Sequence, residues 1–449
     1  MAKTGARTKE MAVLLYGRVI GKVWQDRNGR LGFSYEPEWL ESGERVPLSL
    51  SMPFRNEAYG HDLVSSFLWG LLPENDRVLR VWSSEFNVSP ANPFALLSHV
   101  GEDCAGAVQF VPFDKIDDVN RRGDVQWLSE EEIEARLHAL RTVDGYGRKV
   151  SEGGQFSLAG AQIKTALVLR DKRWGIPNGT VPTTHIIKPP VARFDGFDVN
   201  EHFCLRLAKA IGLTTANSWV ERFGQETAIV VARYDRVPSG DGGFLRLHQE
   251  DVCQAAGVAP ANKYEKEGGP GIVTIMDLMN QSSRPSVDRE RFLRACVFNF
   301  LIGGTDAHAK NYSILLGKGG QVRLAPLYDI ASIFPYVRGD WRKTRMAMSV
   351  SGHDRFETIF PRHWESLASQ CRYAPDALVS HIVSMAERLP DLARDIAGEC
   401  RKEGLGHDVL DEIVDGIANW CRKCSLRFGS EDADHSRQKD EHGDGVTPR

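Results

Sequence analysis

The stretch from Thr165 to Ala232 constrains the fold more than any other part of the chain. Thr165–Arg170 is an apolar run of strand length, and Trp174-Gly175-Ile176 supplies a hairpin partner. Thr184-His185-Ile186-Ile187-Lys188 reads as a third strand, stopped by Pro189-Pro190 because proline removes a ladder donor. Asn200 reads as a helix cap, with Phe203, Leu207, Ala210 and Ile211 on one face and Gly212 past the end. Ala228–Ala232 is a buried strand. Strand, strand, strand, helix, strand is the order of a small nucleotide-binding lobe.

On its amino-terminal side, Val13–Gly17 and Val19–Val23 read as a hairpin, Gly60–Arg80 has helical spacing through Leu63, Phe67 and Leu71, and Gly106–Val111 is a strand. Residues 112–128 are polar and charged, and a linker is expected there. On the carboxy-terminal side the pattern is mainly helical: Phe292, Cys296, Asn299, Phe300 and Gly303 keep helical spacing, as do Leu378, Ile382 and Met385. A hairpin of Tyr312–Leu316 and Val322–Leu324, turning at Gly317-Lys318-Gly319-Gly320, interrupts it. The expected units are 11–111, 151–235 and 236–428, followed by a polar, disordered tail over 430–449.

Composition narrows the function classes. The 449 residues carry 56 Lys+Arg against 60 Asp+Glu, a net charge of −4, with 42% hydrophobic residues. This is an ordinary globular profile without the basic excess of an autonomous nucleic-acid binder. No apolar run approaches the roughly 18 residues that cross a bilayer, and the basic start lacks the apolar core of a secretory signal. Of the eight cysteines only Cys421 and Cys424 have metal or redox spacing, so a reduced thiol set and a cytoplasmic, membrane-free protein are expected.

Three segments could carry chemistry. In Gly303-Gly304-Thr305-Asp306-Ala307-His308-Ala309-Lys310-Asn311, an Asp is followed five positions later by an Asn, after an apolar helix and before a hairpin. That is the spacing of a phosphotransferase catalytic loop, where the Asp accepts a hydrogen bond from the attacking hydroxyl and the Asn offers an oxygen to Mg²⁺. Asp329, in Leu327-Tyr328-Asp329-Ile330 at the far end of the hairpin, could grip the same metal with Asn311, since Mg²⁺ needs few protein oxygens. Singly, Asp306 as a helix cap and Asp329 as a turn residue is the simpler account; the ordered set favours the site.

Lys188 ends its strand at the rim of an apolar layer, able to reach the α/β-phosphates of ATP with Glu201 as its carboxylate partner; a snorkelling surface lysine is the alternative. In Ser157-Leu158-Ala159-Gly160-Ala161-Gln162-Ile163-Lys164 the small residues permit backbone N–H groups to close on phosphate, although neither a P-loop nor GxGxxG is present and an ordinary turn fits equally. Lys263-Tyr264-Glu265, near Gly268-Gly269-Pro270, is a polar loop with no assignable chemistry.

Taken in order, these segments resemble the HipA toxins, Ser/Thr protein kinases of bacterial toxin–antitoxin systems. The resemblance runs from Met11 to about residue 425. It rests also on Leu71-Leu72-Pro73-Glu74-Asn75, on Gly101-Glu102-Asp103-Cys104-Ala105-Gly106-Ala107 after Asn92-Pro93-Phe94, on Arg233-Tyr234-Asp235-Arg236 and on Gln249-Glu250-Asp251. It implies an α+β, bilobal protein-kinase-like fold with an extra small amino-terminal α/β subdomain and a mostly helical carboxy-terminal lobe.

By motif position the resemblance makes Ala159, Gly160, Ala161, Gln162, Ile163 and Lys164 the phosphate-covering loop and Lys188 the ATP lysine. Ala232, Arg233 and Tyr234 become the adenine hinge and Asp306 the catalytic base. His308, Ala309, Lys310 and Asn311 lie against the phosphates, with Tyr328 and the metal-binding Asp329 opposite. Ser157 is the implied autophosphorylation site. ATP and Mg²⁺ are the implied cofactors, a small helix-turn-helix antitoxin on operator DNA the implied partner, and a translation component such as an aminoacyl-tRNA synthetase the implied protein substrate. Arg342, Lys343 and Arg345 form a basic patch for local DNA contacts. The tail and the basic first ten residues have no family counterpart. A lipid or small-molecule kinase, and a silent corepressor bridging an antitoxin on DNA, are the alternative readings.

Overall fold

The computed structural model describes residues 8–121, 123–142, 156–191, 193–240, 242–337 and 344–429. The amino-terminal unit is an antiparallel sheet in the order Leu31–Tyr35, Arg18–Gln25, Lys9–Leu15, Val108–Val111. Tyr16 and Gly17 both take positive φ, 55° and 75°, at the first hairpin turn, where a left-handed pair matches the twist of the strands. Helices His61–Gly70, Asp76–Phe86 and Pro93–Val100 belong to the same unit. The single helix expected over 60–80 is therefore two, parted by Leu71–Asn75, where Asn75 caps the second by accepting from the Arg77 and Val78 amides.

The next unit is a six-stranded antiparallel sheet in the order Val125–Trp127, Arg173–Pro177, Thr165–Arg170, His185–Lys188, Glu226–Ala232, Ser218–Phe223. The four strands anticipated from sequence are its centre. Its first strand falls inside the expected linker, and helix Glu130–Thr142 follows, so this lobe begins well before residue 151. Side chains alternate between its faces. Ala228 and Val230 pack with Ile133, Leu137 and Leu140 of that helix, while Ile229 and Val231 face the opposite side with Ala216, Tyr234 and Tyr328.

The helix after Lys188 spans Phe197–Ala210, its amino end turned by Gly196 at φ 65°. Asn200 is thus not its cap. It is buried inside the first turn, where its Nδ2 donates to Ser332 O at 2.8 Å and its Oδ1 accepts from Ser332 N at 2.9 Å.

The remaining lobe is mostly helical, with helices Pro285–Ile302, Pro361–Gln370, Pro375–Lys402 and Val409–Gly429. Phe300 sits at its centre between Phe356, Trp364 and Trp420, with ring centroids 5.3–5.7 Å away. The expected hairpin is present as Ser313–Gly317 and Gln321–Leu324, and His248–Asp251 adds a third strand. All eight cysteines are free and buried, Cys421 and Cys424 included. No helix among the described residues is long and apolar enough to cross a membrane. The expected tail over 430–449 and two members of the basic patch, Arg342 and Lys343, lie outside the described residues. Arg345, the third, is paired with Asp354 at 2.6 Å.

Two seams weld the amino-terminal unit to the rest. In one, buried Asp103 accepts from Thr183 Oγ1 at 2.6 Å and Arg236 Nη2 at 2.9 Å, with Arg233 3.5 Å and Arg246 3.3 Å away. Asp235 joins Arg233, Arg236 and the Gly106 amide at 2.7–2.9 Å. Burial works to raise both carboxyls, yet the surrounding guanidiniums hold them below the usual carboxylate range.

In the other seam, residues 48–51 lie along strand His248–Asp251: His248 Nε2 is 2.9 Å from Leu48 O, and Glu250 Oε1 accepts from Leu50 N at 2.7 Å. Glu250 is fully buried and, among the described residues, has no cationic partner. Burial pushes its carboxyl up to about 8, against the lowering effect of the Leu50 amide.

That shift has a definite sign. The native carboxyl keeps its proton until about 8 whereas the unfolded one releases it near its ordinary value of 4.5. Its contribution to stability is fully present below the lower value and lost as pH rises through the upper one. Glu250→Gln is expected to raise the melting temperature over wild type at about pH 8.5 and to lose that advantage near pH 5. An equal effect at both pH values, measured by scanning calorimetry, would contradict the buried-acid assignment.

Candidate functional site

Lys188, last in its strand, is buried at the floor of the cleft between the lobes. Its Nζ donates to Glu201 Oε1 at 2.7 Å, to Glu201 Oε2 at 3.0 Å and to Asp329 Oδ1 at 3.0 Å. Glu201 reaches it because the helix starts at Phe197, which puts residue 201 one full turn in, on the face toward the sheet. Burial alone would strip the Lys188 proton; the two carboxylates outweigh it and hold the ammonium charged. Asp329 responds in kind. Burial would raise it, but Lys188 and Lys164 bring it down to about 2. Its backbone takes φ 56°, a left-handed conformation costly for a residue with a Cβ.

Across the cleft, helix Pro285–Ile302 ends at Gly303, φ 71°, and delivers the loop carrying Asp306. The Asp306 carbonyl accepts from His308 N at 2.8 Å and from Asn311 Nδ2 at 2.7 Å. The second bond fixes the Asn311 amide, leaving its oxygen as the end available to a cation. The Asp306 carboxylate is 70% exposed and accepts from Tyr264 Oη at 2.7 Å. His308 is buried, which lowers its imidazole, and its Nε2 is 3.9 Å from Asp306 Oδ1.

The loop before strand Thr165–Arg170 closes over the cleft. Lys164 Nζ donates to Ala159 O at 2.8 Å, and Gly160 takes φ 107°, where a Cβ would lie 2.8 Å from that ammonium. Burial and the nearby Lys188 charge lower Lys164 to about 8. The loop is clasped by the turn Leu71–Asn75: Ser157 Oγ donates to Leu71 O at 2.7 Å, Glu74 N to Gly160 O at 3.1 Å, and Asn75 Nδ2 to Ala161 O at 3.5 Å. Ser157 is fully buried.

At the inner end, Tyr234 and Tyr328 stack at 5.8 Å, and Tyr328 Oη is fixed by Ser313 Oγ at 2.7 Å and Lys310 O at 2.8 Å. With Ala216 and Val231 they wall a cleft of about 140 Å³ that runs to Lys188 and Asp329. A flat apolar slot leading to two cations, two carboxylates and an amide oxygen suits a purine nucleotide carrying phosphates.

The structure therefore brings together Ala159, Gly160, Lys164, Lys188, Glu201, Ala232, Tyr234, Asn311, Tyr328 and Asp329 around one cleft, with Asp306 at its mouth. Arg233 and Lys310 also line this cleft but commit their charged ends to other partners, and further expected residues turn elsewhere. The Gln162 and Ile163 side chains line a separate groove with Val78 and Trp82. Arg233 spends its guanidinium on Asp235, Thr183 and Cys104 O, and its own amide donates to Thr184 O. Lys310 pairs with Asp251 at 2.5 Å and donates to Gly70 O at 3.2 Å. Ala309 lies behind the cleft, its amide toward Lys263 O at 3.4 Å. Sequence reasoning missed Tyr264 and gave Glu74 no role, although Glu74 lines the cleft and pairs with Lys263 at 2.6 Å.

Comparison with known proteins decides the family. A HipA N-terminal domain model matches residues 11–111 and a HipA-like C-terminal domain model matches 156–393, more than half of the chain. The chain belongs to the HipA family. The putative kinase Y4mE of Sinorhizobium fredii is 40% identical over 414 residues, 91% of this chain and 97% of its own. The Ser/Thr-protein kinase toxin HipA of Shewanella oneidensis is 28% identical over 410 residues, 87% of this chain and 90% of its own.

A solved Shewanella oneidensis HipA, in complex with HipB and its operator DNA, superposes with a TM-score of 0.77 at 25% identity, covering 93% of this chain and 96% of that one. HipA membership makes the chain an enzyme of the Ser/Thr protein-kinase class, and the α+β, two-lobed architecture expected from the motifs is the one observed.

Proposed function

We propose that this chain transfers the γ-phosphate of ATP to a Ser or Thr hydroxyl of a protein. The single observation that carries this reading is the Lys188–Glu201–Asp329 cluster, facing the loop that presents Asp306 and Asn311 across one cleft. The adenine lies against the Tyr234–Tyr328 pair in the slot walled by Ala216 and Val231, with Lys188 and Lys164 meeting the phosphates. The hinge amide left for the adenine edge is Tyr234 N–H, since those of Ala232 and Arg233 donate to Asn217 O and Thr184 O.

The donor set fits Mg²⁺. Among the described residues no group of three His, Cys, Asp or Glu side chains could cage a metal, whereas one carboxylate, one amide oxygen, phosphate oxygens and water suit a small octahedral cation. Asp329 and Asn311 would hold it, and it would neutralise charge developing on the phosphates. Asp306 accepts a hydrogen bond from the attacking hydroxyl. The hydroxyl oxygen bonds to the γ-phosphorus as the β–γ bridging bond breaks, ADP leaves, and the hydroxyl proton passes to Asp306.

Ser157 is the self-modification site in this reading. Its hydroxyl is buried against Leu71 O, so a phosphate carrying about −1.5 to −2 charges cannot be housed there. Phosphorylated Ser157 therefore requires the loop to leave the cleft, which withdraws Lys164 and switches the enzyme off. The target is a translation component, such as an aminoacyl-tRNA synthetase, and the reaction is cytoplasmic. Incubation with γ-labelled ATP tests the whole reading. Label is expected on protein Ser or Thr, Ser157 included, and absent from Asp306→Asn. Label in a lipid or small organic molecule, or full transfer by Asp306→Asn, would sink it.

We further propose that the chain acts with a small basic, HipB-like helix-turn-helix antitoxin that carries it to operator DNA. The support is the likeness to a HipA solved with such partners, and the net charge of −4, which gives little counterion release on its own. In a mobility-shift assay on the neighbouring operator, this chain is expected to retard DNA only when the partner is present. Sequence-specific, salt-resistant binding by the chain alone would refute this.

A further inference from the structure

An exposed catalytic carboxylate on a loop has rotamer freedom, and orientation is what its task demands. In this structure the Asp306 main chain is fixed by His308 N and Asn311 Nδ2, but those bonds leave the carboxylate itself free to turn. Among the described residues the group that hydrogen-bonds the carboxylate is Tyr264, its Oη 2.7 Å from Oδ1; His308 Nε2, at 3.9 Å, is too far. The phenol occupies Oδ1 and leaves Oδ2 for an incoming hydroxyl. Burial and the neighbouring Asp306 push the Tyr264 phenol up, so it stays a donor.

Tyr264 is itself braced. Its ring meets His308 edge-on at 5.0 Å and 87°. The adjoining Lys263 pairs with Glu74 Oε2 at 2.6 Å, and its carbonyl accepts from Ala309 N of the catalytic loop at 3.4 Å. The loop closes so tightly that a Cβ on Gly269 would lie 2.1 Å from Asn262 O. Glu74 belongs to the amino-terminal turn whose own amide holds Gly160 O at 3.1 Å. One turn therefore touches both the phosphate-covering loop and, through Lys263, the group that aims the base.

We propose that Tyr264 is a positioning residue for Asp306, and that Glu74 of the amino-terminal unit sets it through Lys263. The inference rests on the kinase reading above. It assigns the amino-terminal unit a direct part in orienting the base.

The test is kinetic, on the full chain. Tyr264→Phe keeps the ring and removes the hydrogen bond; protein-phosphate formation at saturating ATP is expected to slow on the order of tenfold or more, with Mg-ATP affinity by calorimetry unchanged within about twofold. Lys263→Met is expected to slow transfer in the wild-type background, to add nothing in the Tyr264→Phe background, and to be largely rescued by Lys263→Arg. An unchanged or faster rate in Tyr264→Phe overturns the proposal, as does a loss of nucleotide affinity that matches the loss of rate. Multiplying effects of the two substitutions overturn the tether. A wild-type chain without transfer would sink the kinase reading and this inference with it, whereas a silent Tyr264→Phe sinks this inference alone.

Discussion

The Lys188 ammonium, held by Glu201 on one side and Asp329 on the other, is the interaction on which the site depends. Removing the Lys188 and Glu201 charges from water costs several kcal/mol per ion, so each is tolerable only while it is paired. Asp329, whose side chain is 42% exposed at the cleft, adds a second counter-charge. That mutual requirement fixes three separate elements at once: the end of strand His185–Lys188, helix Phe197–Ala210 and the segment after strand Gln321–Leu324. It also explains why Asp329 keeps a left-handed backbone at φ 56°. The strain is sustained by an ion pair that would be lost if the residue relaxed, and it turns the carboxylate toward both Lys188 and the cleft.

The amino-terminal unit is part of the machinery of this cleft. Its turn at Leu71–Asn75 clasps the loop from Ser157 to Ala161, and its Asp103 sits under the Arg233–Asp235–Arg236 segment that follows the hinge strand. Removing one partner from such a buried cluster leaves an uncompensated charge, which is far costlier than losing a surface pair. The motifs around Asp103 and Arg233 are therefore structural in their side chains. They keep the segment after strand Glu226–Ala232 and the loop from Ser157 to Ala161 in register, while in the proposed reading the nucleotide-facing atoms are supplied by neighbours.

Much of this was legible because the relevant signals are local. The central strands announce themselves by short apolar runs bounded by Pro and Gly, and the catalytic-loop spacing keeps Asp306 and Asn311 within five positions on one loop, where the Asn311 amide reaches the Asp306 carbonyl. Lys188 and Asp329 were placed by the ends of a strand and a hairpin, which the structure reproduces. Asn200 misled because a cap residue and a buried helical Asn look alike in sequence. The true boundary is set by Gly196, which bears no capping side chain. Val125–Trp127, three residues long, is too short to show alternation. Tyr264 and Glu74 meet their partners across 42 and 189 positions, distances at which periodicity carries no information.

The central claim is that Lys188 and Asp329 form a preassembled seat for a metal-bound nucleotide, separate from the group that handles the acceptor proton. Calorimetric titration of Mg-ATP into the wild type, Asp306→Asn and Asp329→Ala tests it most directly. The account predicts affinity within about twofold of wild type for Asp306→Asn, and a loss on the order of tenfold or more for Asp329→Ala, which removes a full negative charge from the cation. Wild-type affinity in Asp329→Ala would contradict it.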